Sequence, residues 1–135
     1  MDEIRYRLRK EHQVLGYRRE IGGGMVFYSR DGFWWSGKPI PYVQLDEWVG
    51  WKDRNRKPIF EFDIVRCKLD PDADDCLAAV LWEANRKRFV LKFWEEDVHF
   101  PLVLEGIQLF DERKLQVVSH LFLNPDLMHR LGVAD

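Results

Sequence analysis

The stretch 48–65 constrains the fold most, because it joins a short apolar segment, a polar turn and an apolar strand. Every residue of 52–57 is polar, and Asp53 and Asn55 favour turn conformations. The run that follows, over 64–69, has the pattern of a β-strand. The stretch therefore predicts a long turn that sets up a strand, and it indicates a β fold.

Further strand patterns lie on both sides of this stretch, with tight turns between them. The clearest hairpin pairs 77–82 with 88–93. One short helix is predicted over 124–132, because Asn124 suits an N-cap and Gly132 can end the helix. Many strands followed by one terminal helix predict a small, mainly β barrel or a rolled antiparallel sheet. The other predicted strands are 4–9, 25–28, 33–35, 99–104, 106–110 and 115–121.

The first predicted strand alternates apolar and basic residues. Ile4, Tyr6 and Leu8 are expected to face inward. The arginines between them are expected on a solvated face that protects a sheet edge, and the alternative is contact with phosphates. These arginines are Arg5, Arg7 and Arg9.

The composition is that of a globular protein, with 46% hydrophobic and 33% charged residues. The apolar runs fall far short of the ~20 residues that cross a bilayer, and no signal peptide is recognisable. Cys67 and Cys76 lack a metal-binding spacing and are interpreted as reduced core thiols. We therefore expect a cytoplasmic protein without a membrane partner.

The charge is unevenly distributed, although the net charge is only -2. This near-neutral total argues against strong nonspecific binding to nucleic acid. The N-terminal part of the chain is basic, whereas the loop 70–75 is acidic. Opposite local charges of this kind are compatible with a homo-oligomer.

The run VGWKDRNRKPIFEFDIV at 49–65 resembles the signature of the YopX family, which is similar to TGLKDKNGKEIYEGDIV. Residues 117–128 resemble the end of the same family, and the likeness covers roughly 45–131. Arg56 and Phe62 stand where the family has glycine. The turns at these two positions are therefore expected to be built differently in this chain.

The resemblance implies a mainly β fold with the character of an SH3-like barrel and a tendency to oligomerise. Members of the family are phage and prophage proteins, and the family offers no catalytic residue to carry over. The chain is accordingly divided into two parts. An irregular, aromatic-rich β segment over 1–45 packs on a YopX-like β-barrel domain with a C-terminal helix over 46–135.

Two carboxylates, Glu61 and Asp63, follow the turn and would share one face of an extended strand. Paired carboxylates can carry out acid–base or metal chemistry. The favoured interpretation is structural, with Asp63 bracing the turn through backbone N–H groups. The histidines show no zinc-ligand spacing, so neither a metal nor a cofactor is expected. The residues predicted to brace turns are Asp53, Asn55, Asp63 and Asn124.

Six tryptophans are many for this length, and some of them are candidate binding residues. Trp34 and Trp35 are adjacent, so in a strand they would face opposite ways and leave one ring outside the core. Exposed rings can anchor a subunit interface or stack on bases. Core packing is the favoured interpretation of Trp51. The predicted interface or ligand-binding set is Trp34, Trp35, Trp51, Arg54, Arg56 and Lys57.

The sequence favours a non-enzymatic phage or prophage accessory protein that acts as an oligomeric interaction module. Its partner is expected to be a second copy of the chain or another protein. The first alternative is a nucleic-acid-binding or regulatory β-barrel that uses the basic turn and the exposed aromatic rings. The second alternative is an enzyme that uses Glu61 and Asp63.

Overall fold

The computed structural model of the chain describes residues 3–133, which form mostly antiparallel β-strands. The mainly β fold with a short C-terminal helix is therefore confirmed. The first six strands are β1 (Glu3–Lys10), β2 (Gln13–Ile21), β3 (Met25–Ser29), β4 (Gln44–Lys52), β5 (Pro58–Phe60) and β6 (Asp63–Lys68). The next six are β7 (Asp75–Glu83), β8 (Arg88–Phe93), β9 (Val98–Pro101), β10 (Val103–Leu104), β11 (Ile107–Gln108) and β12 (Gln116–His120). Two 3₁₀ helices cover Glu112–Lys114 and Leu121–Leu123, and the α-helix α1 covers Pro125–Arg130.

The first sheet has the strand order β3-β2-β1-β4-β5. β1 lies at its centre, antiparallel to β2 on one side and to β4 on the other. Regular pairing therefore begins near the N-terminus, within the irregular, aromatic-rich β segment that the sequence predicted over 1–45. The predicted boundary at 45/46 falls inside β4, which joins both parts in one sheet. β2 escaped sequence prediction because charged residues interrupt its apolar alternation.

The second sheet has the strand order β12-β6-β7-β8-β9. The predicted hairpin is present as β7 and β8, whose register pairs Ala79 with Lys92 and Glu83 with Arg88. The predicted strand over 64–69 is β6, which pairs with β7 and β12. β10 and β11 form a separate two-stranded hairpin.

Both five-stranded sheets are open, and within the described residues neither closes into a barrel. Closure would require the two edge strands of one sheet to pair. In the second sheet, the edge strand β9 leads toward the β10–β11 hairpin, and the edge strand β12 continues into the 3₁₀ helix Leu121–Leu123. The sequence predicted an SH3-like barrel or a rolled antiparallel sheet. The antiparallel sheets are present, and the barrel is not confirmed.

The second sheet carries a hydrophobic cluster on each face, because alternate residues of its strands point to opposite sides. On one face, Val65, Val80 and Leu91 pack with residues that include Ile59 of β5. On the other face, Ile64 packs with a set from the neighbouring strand and the C-terminal region, namely Ala79, Leu121, Phe122 and Met128. Residues of β4 and β5 therefore cover one face of this sheet, and residues of α1 and the 3₁₀ helix before it cover the other.

Cys67 and Cys76 lie directly opposite each other across β6 and β7, and both are free thiols. Burial raises the pKa of the Cys67 thiol to about 12, so this thiol is not activated as a nucleophile. Cys76 is only partly buried, which differs from the predicted pair of core thiols. In the described part of the chain, no helix combines the length and the hydropathy that spanning a bilayer requires.

Candidate functional site

Four buried charged side chains form a network at the junction of the two sheets, which we call the charge network. It consists of Arg7 and Arg9 from β1, Asp46 from β4 and Asp63 from β6. The Asp46 Oδ2 atom accepts from the Nε atoms of Arg7, at 2.8 Å, and Arg9, at 2.7 Å. Arg7 also donates to Asp63 through Nη1.

The predicted solvated face of the first strand was wrong, because Arg7 and Arg9 are only 5% and 3% exposed. β1 is a central strand, so neither of its edges is open to water. The guanidinium carbon of Arg9 lies 3.3 Å from the centroid of the Phe122 ring, a close cation–π contact. Among the residues predicted to face inward, Leu8 is fully buried, whereas Ile4 is exposed.

Asp63 is buried in the charge network and also braces the turn before β6. Its Oδ2 atom accepts from the backbone N–H of Phe60 at 2.9 Å, while Oδ1 accepts from Arg7. Glu61 lies in the turn, where its backbone N–H donates to the carbonyl of Glu47 at 2.8 Å. Glu61 and Asp63 therefore do not form a free carboxylate pair on one strand face, and both oxygens of Asp63 are engaged.

Two titratable groups beside the charge network have strongly shifted pKa values. Burial, reinforced by the carboxylates of Asp46 and Glu47, raises the pKa of Glu61 to about 7. Burial and the positive charge of Arg7 lower the pKa of His120 to about 4. At neutral pH His120 is therefore uncharged, and Glu61 is close to the midpoint of its titration.

The turn between β4 and β5 is organised by Asp53, which is buried. Its Oδ1 atom accepts from the backbone N–H groups of Asn55, at 2.8 Å, and Lys57, at 2.9 Å. Its Oδ2 atom accepts from the backbone N–H of Val117 at 2.8 Å, which ties the turn to β12. Asn55 thus contributes its backbone to this arrangement, and Asp53 supplies the side chain.

Arg56 and Phe62 both adopt left-handed backbone conformations, with φ of 63° and 74°. These are the positions at which the resembled signature has glycine, the residue that adopts such a φ without strain. Phe62 compensates through its ring, which makes an edge contact with Phe122 at 5.1 Å between centroids. Its backbone N–H also donates to the carbonyl of Val80 at 2.7 Å.

Asn124 occupies the N-cap position of α1, but its side chain makes no capping hydrogen bond. The side-chain amide donates backward instead, to the carbonyl of His120 at 2.9 Å and to the hydroxyl of Ser119 at 3.3 Å. Asn124 therefore stabilises the connection between β12 and the helix, and Pro125 begins the helix without needing a backbone donor.

The predicted strand over 33–35 is wrong, and this segment is a loop after β3. The Asp31 Oδ1 atom accepts from the backbone N–H groups of Phe33, at 2.8 Å, and Trp34, at 3.0 Å. Phe33 and Trp34, which we call the aromatic tip, are 84% and 83% exposed. A short aspartate-capped loop thus presents two large rings to solvent, where the sequence predicted one.

The other two predicted aromatic candidates lie elsewhere. Trp35 is partly buried, and the guanidinium carbons of Arg5 and Arg19 lie 5.5 and 5.7 Å from the centroid of its ring. Trp51 is also partly buried and packs against the core cluster that contains Ile59. The predicted binding set is therefore distributed over separate environments.

A cleft of about 630 Å³ opens beside β6. We call it the basic cleft, because five cations line it. One of them, Arg54, comes from the basic turn. The other four cations were not predicted from the sequence, because they are far apart in the chain. The only sequence signal was the alternation of basic residues at 66 and 68 along β6. The cations lining the cleft are Arg54, Arg66, Lys68, Arg113 and Lys114.

A scan against protein-family models and a search of curated proteins found no match to the chain. Within residues 3–133, no group of His, Cys, Asp and Glu side chains is arranged to hold a metal ion. The aromatic tip exposes two large rings, and the basic cleft is lined by five cations. These two surfaces are the candidates for binding.

Proposed function

We propose that the chain is a cytoplasmic, YopX-like accessory protein of a phage or prophage. It acts as a non-enzymatic interaction module that assembles with further copies of itself. The resemblance of residues 49–65 to the YopX signature supports membership of that family. The backbone conformation at two positions of this stretch is a second supporting observation. Arg56 and Phe62 are held at positive φ at the two positions where the family signature has glycine.

The observation that carries the interaction role is the exposure of Phe33 and Trp34 on a loop held by Asp31. Two adjacent aromatic rings in water are unfavourable unless something covers them, since burying apolar surface is the main driving force of association. Aromatic residues are also over-represented among the residues that dominate binding energy. Because Asp31 already orders the loop, binding loses little backbone entropy there.

The surface around the tip supports a second copy as the partner. Trp34 lines a cleft of about 280 Å³ whose wall includes Pro39 and Ile40. Each copy therefore offers both a projecting ring, Phe33, and an adjacent partly apolar hollow. In a two-fold dimer the same patch serves on both sides, so each Phe33 enters the cleft of the other copy.

Light scattering coupled to size-exclusion chromatography tests this proposal across a dilution series. We expect the wild type to form a dimer or a larger oligomer, and Phe33→Ser combined with Trp34→Ser to shift it to monomer. Ile107→Ser is the matched control, because Ile107 is 66% exposed but lies on β11. A monomeric wild type, or a double variant that assembles like the control, would contradict the proposal.

The enzyme alternative lacks a supporting geometry. Asp63 is committed to Arg7 and to the backbone of Phe60. The nucleic-acid alternative required the basic turn and the exposed aromatic rings to form one binding surface. Arg54 and Trp34 line different clefts, so that combination does not form one surface.

A further inference from the structure

The basic cleft collects positive charge from three separate parts of the chain. Arg54 comes from the turn after β4, and Arg66 and Lys68 come from β6. Arg113 and Lys114 come from the 3₁₀ helix before β12. The chain as a whole carries a net charge of -2, so this concentration of cations is local.

The backbone fixes how these segments meet. The N–H of Arg54 donates to the carbonyl of Leu115 at 2.8 Å, which places the turn beside the end of the 3₁₀ helix. Arg66 lies opposite Gln116 in the register of β6 and β12. Arg66 and Lys68 are two residues apart on one strand, so they share a face with their α-carbons about 7 Å apart. It is the face opposite Cys67, so these two cations border the cleft without facing Phe110.

Most of this positive charge is not neutralised within the protein. In the part of the chain that the structure describes, Arg54, Arg66, Lys68 and Lys114 form no ion pair with a carboxylate. Arg113 is the exception, since its Nε lies 3.1 Å from Oδ1 of Asp111. The lining also carries the carboxylates of Asp70, Asp75 and Asp111, so five cations face three anions. An excess of positive charge remains, and it attracts anionic ligands.

The remaining wall of the cleft is partly apolar. Leu109 and Phe110 line it, and the Phe110 ring stacks on Phe93 with 6.3 Å between centroids. Asp70 and Asp75 also line the cleft and can accept hydrogen bonds from hydroxyl or amino groups. A volume of about 630 Å³ is in the range of small-molecule sites. The lining therefore suits a ligand that has an anionic end, a hydroxylated middle and a flat apolar part.

We propose that the basic cleft binds a nucleoside phosphate. Arg54 and Lys114 hold the phosphate groups, and the base lies against Leu109 and Phe110. A free nucleotide and one unit of a single-stranded nucleic acid have this same chemistry. The site is separate from the aromatic tip, so this inference does not depend on the proposed self-association.

Calorimetric titration with ADP and fluorescence anisotropy with a labelled oligothymidylate test the proposal on the full chain. The test variant is Arg54→Ala combined with Lys114→Ala, both of which are exposed side chains. The matched control is Arg86→Ala combined with Lys87→Ala, which removes the same charge from the connection between β7 and β8. We expect binding to weaken roughly tenfold or more in the test variant and to change little in the control.

The outcomes separate the two sources of the ligand. A tighter oligothymidylate complex whose affinity falls steeply with salt identifies a strand, because each neutralised phosphate adds to the salt dependence. Equal affinity for ADP and the oligomer identifies a free nucleotide, and both results support the proposal. The proposal is overturned if neither probe binds, if the two variants lose affinity equally, or if inorganic triphosphate binds as tightly as ADP.

Discussion

At the scale of single residues, Arg56 and Phe62 show two ways in which a side chain can occupy a left-handed position. Phe62 gains from its position, because its ring packs beside Phe122 and its N–H reaches the carbonyl of Val80. Arg56 is exposed, and no described side-chain hydrogen bond involves it. The N–H of Arg56 also donates, to the carbonyl of Asp53 at 2.9 Å. The strain of a positive φ is therefore offset by side-chain packing at Phe62 but not at Arg56.

Arg56→Gly is expected to stabilise the protein by about 1 kcal/mol, because glycine adopts positive φ without a steric penalty. Chemical denaturation monitored by tryptophan fluorescence measures the change. Arg54→Gly is the control, since Arg54 is also an exposed turn residue but is not at positive φ. That control should be neutral or destabilising, and a stabilisation of equal size in both variants would contradict the explanation.

Glu61 and His120 act in opposite directions when pH changes. The folded pKa of Glu61, about 7, lies above its ordinary value of 4.5, so its contribution to stability is lost as pH rises through that interval. The folded pKa of His120, about 4, lies below its ordinary value of 6.5, so its contribution is lost as pH falls. Between pH 4.5 and 6.5 the two effects oppose each other.

Glu61→Gln should therefore expose the acid sensitivity that His120 causes. We expect the urea midpoint of this variant to fall more steeply than that of the wild type between pH 6.5 and 4.5. Near pH 7 the variant should also lose less stability with rising pH than the wild type. If the urea midpoints of the two proteins change in parallel with pH, Glu61 does not take up a proton on folding and the prediction is wrong.

At the scale of elements, β1 determines how the first sheet joins the rest of the protein. Its alternation of apolar and basic residues is that of an edge strand with a solvated face. As a central strand, it instead turns Arg7 and Arg9 toward Asp46 and Asp63. The two arginines balance the two aspartates, so the buried junction is electrically neutral.

Asp46→Asn should destabilise the protein by about 3–5 kcal/mol, because it leaves a buried guanidinium without its counter-charge. Equilibrium denaturation at neutral pH measures this loss. Glu3→Gln is the control, since Glu3 is a more exposed partner of Arg5 and should cost less than about 1 kcal/mol. Similar losses in the two variants would mean that burial adds nothing to the network.

At the scale of the whole molecule, the two proposed binding surfaces arise from different sheets. The aromatic tip extends from the loop after β3, whereas the basic cleft forms around β6 and the segment before β12. Serine substitutions in the tip should therefore leave ADP affinity unchanged, and alanine substitutions in the cleft should leave the oligomeric state unchanged. Cross-effects between the two sets of variants would show that the surfaces are coupled.

Local patterns in the sequence were sufficient for several elements. The hairpin of β7 and β8, the strand β6 and the start of α1 follow from alternation and turn chemistry. The loop at Phe33 did not, because Asp31 forms hydrogen bonds that compete with strand pairing. The sequence also left open whether the strands form a barrel or a rolled sheet, since closure depends on which strand edges meet and not on the patterns within strands.

By itself, the sequence determined the β class of the protein and its long turn. These features depend on neighbours in the chain, whose spacing is fixed by covalent geometry. Only the tertiary structure decided that Arg7 is buried against Asp46 and Asp63, which are 39 and 56 positions away in the chain. It likewise decided that Arg54 and Arg66 line one cleft, because such contacts arise only when distant strands become neighbours.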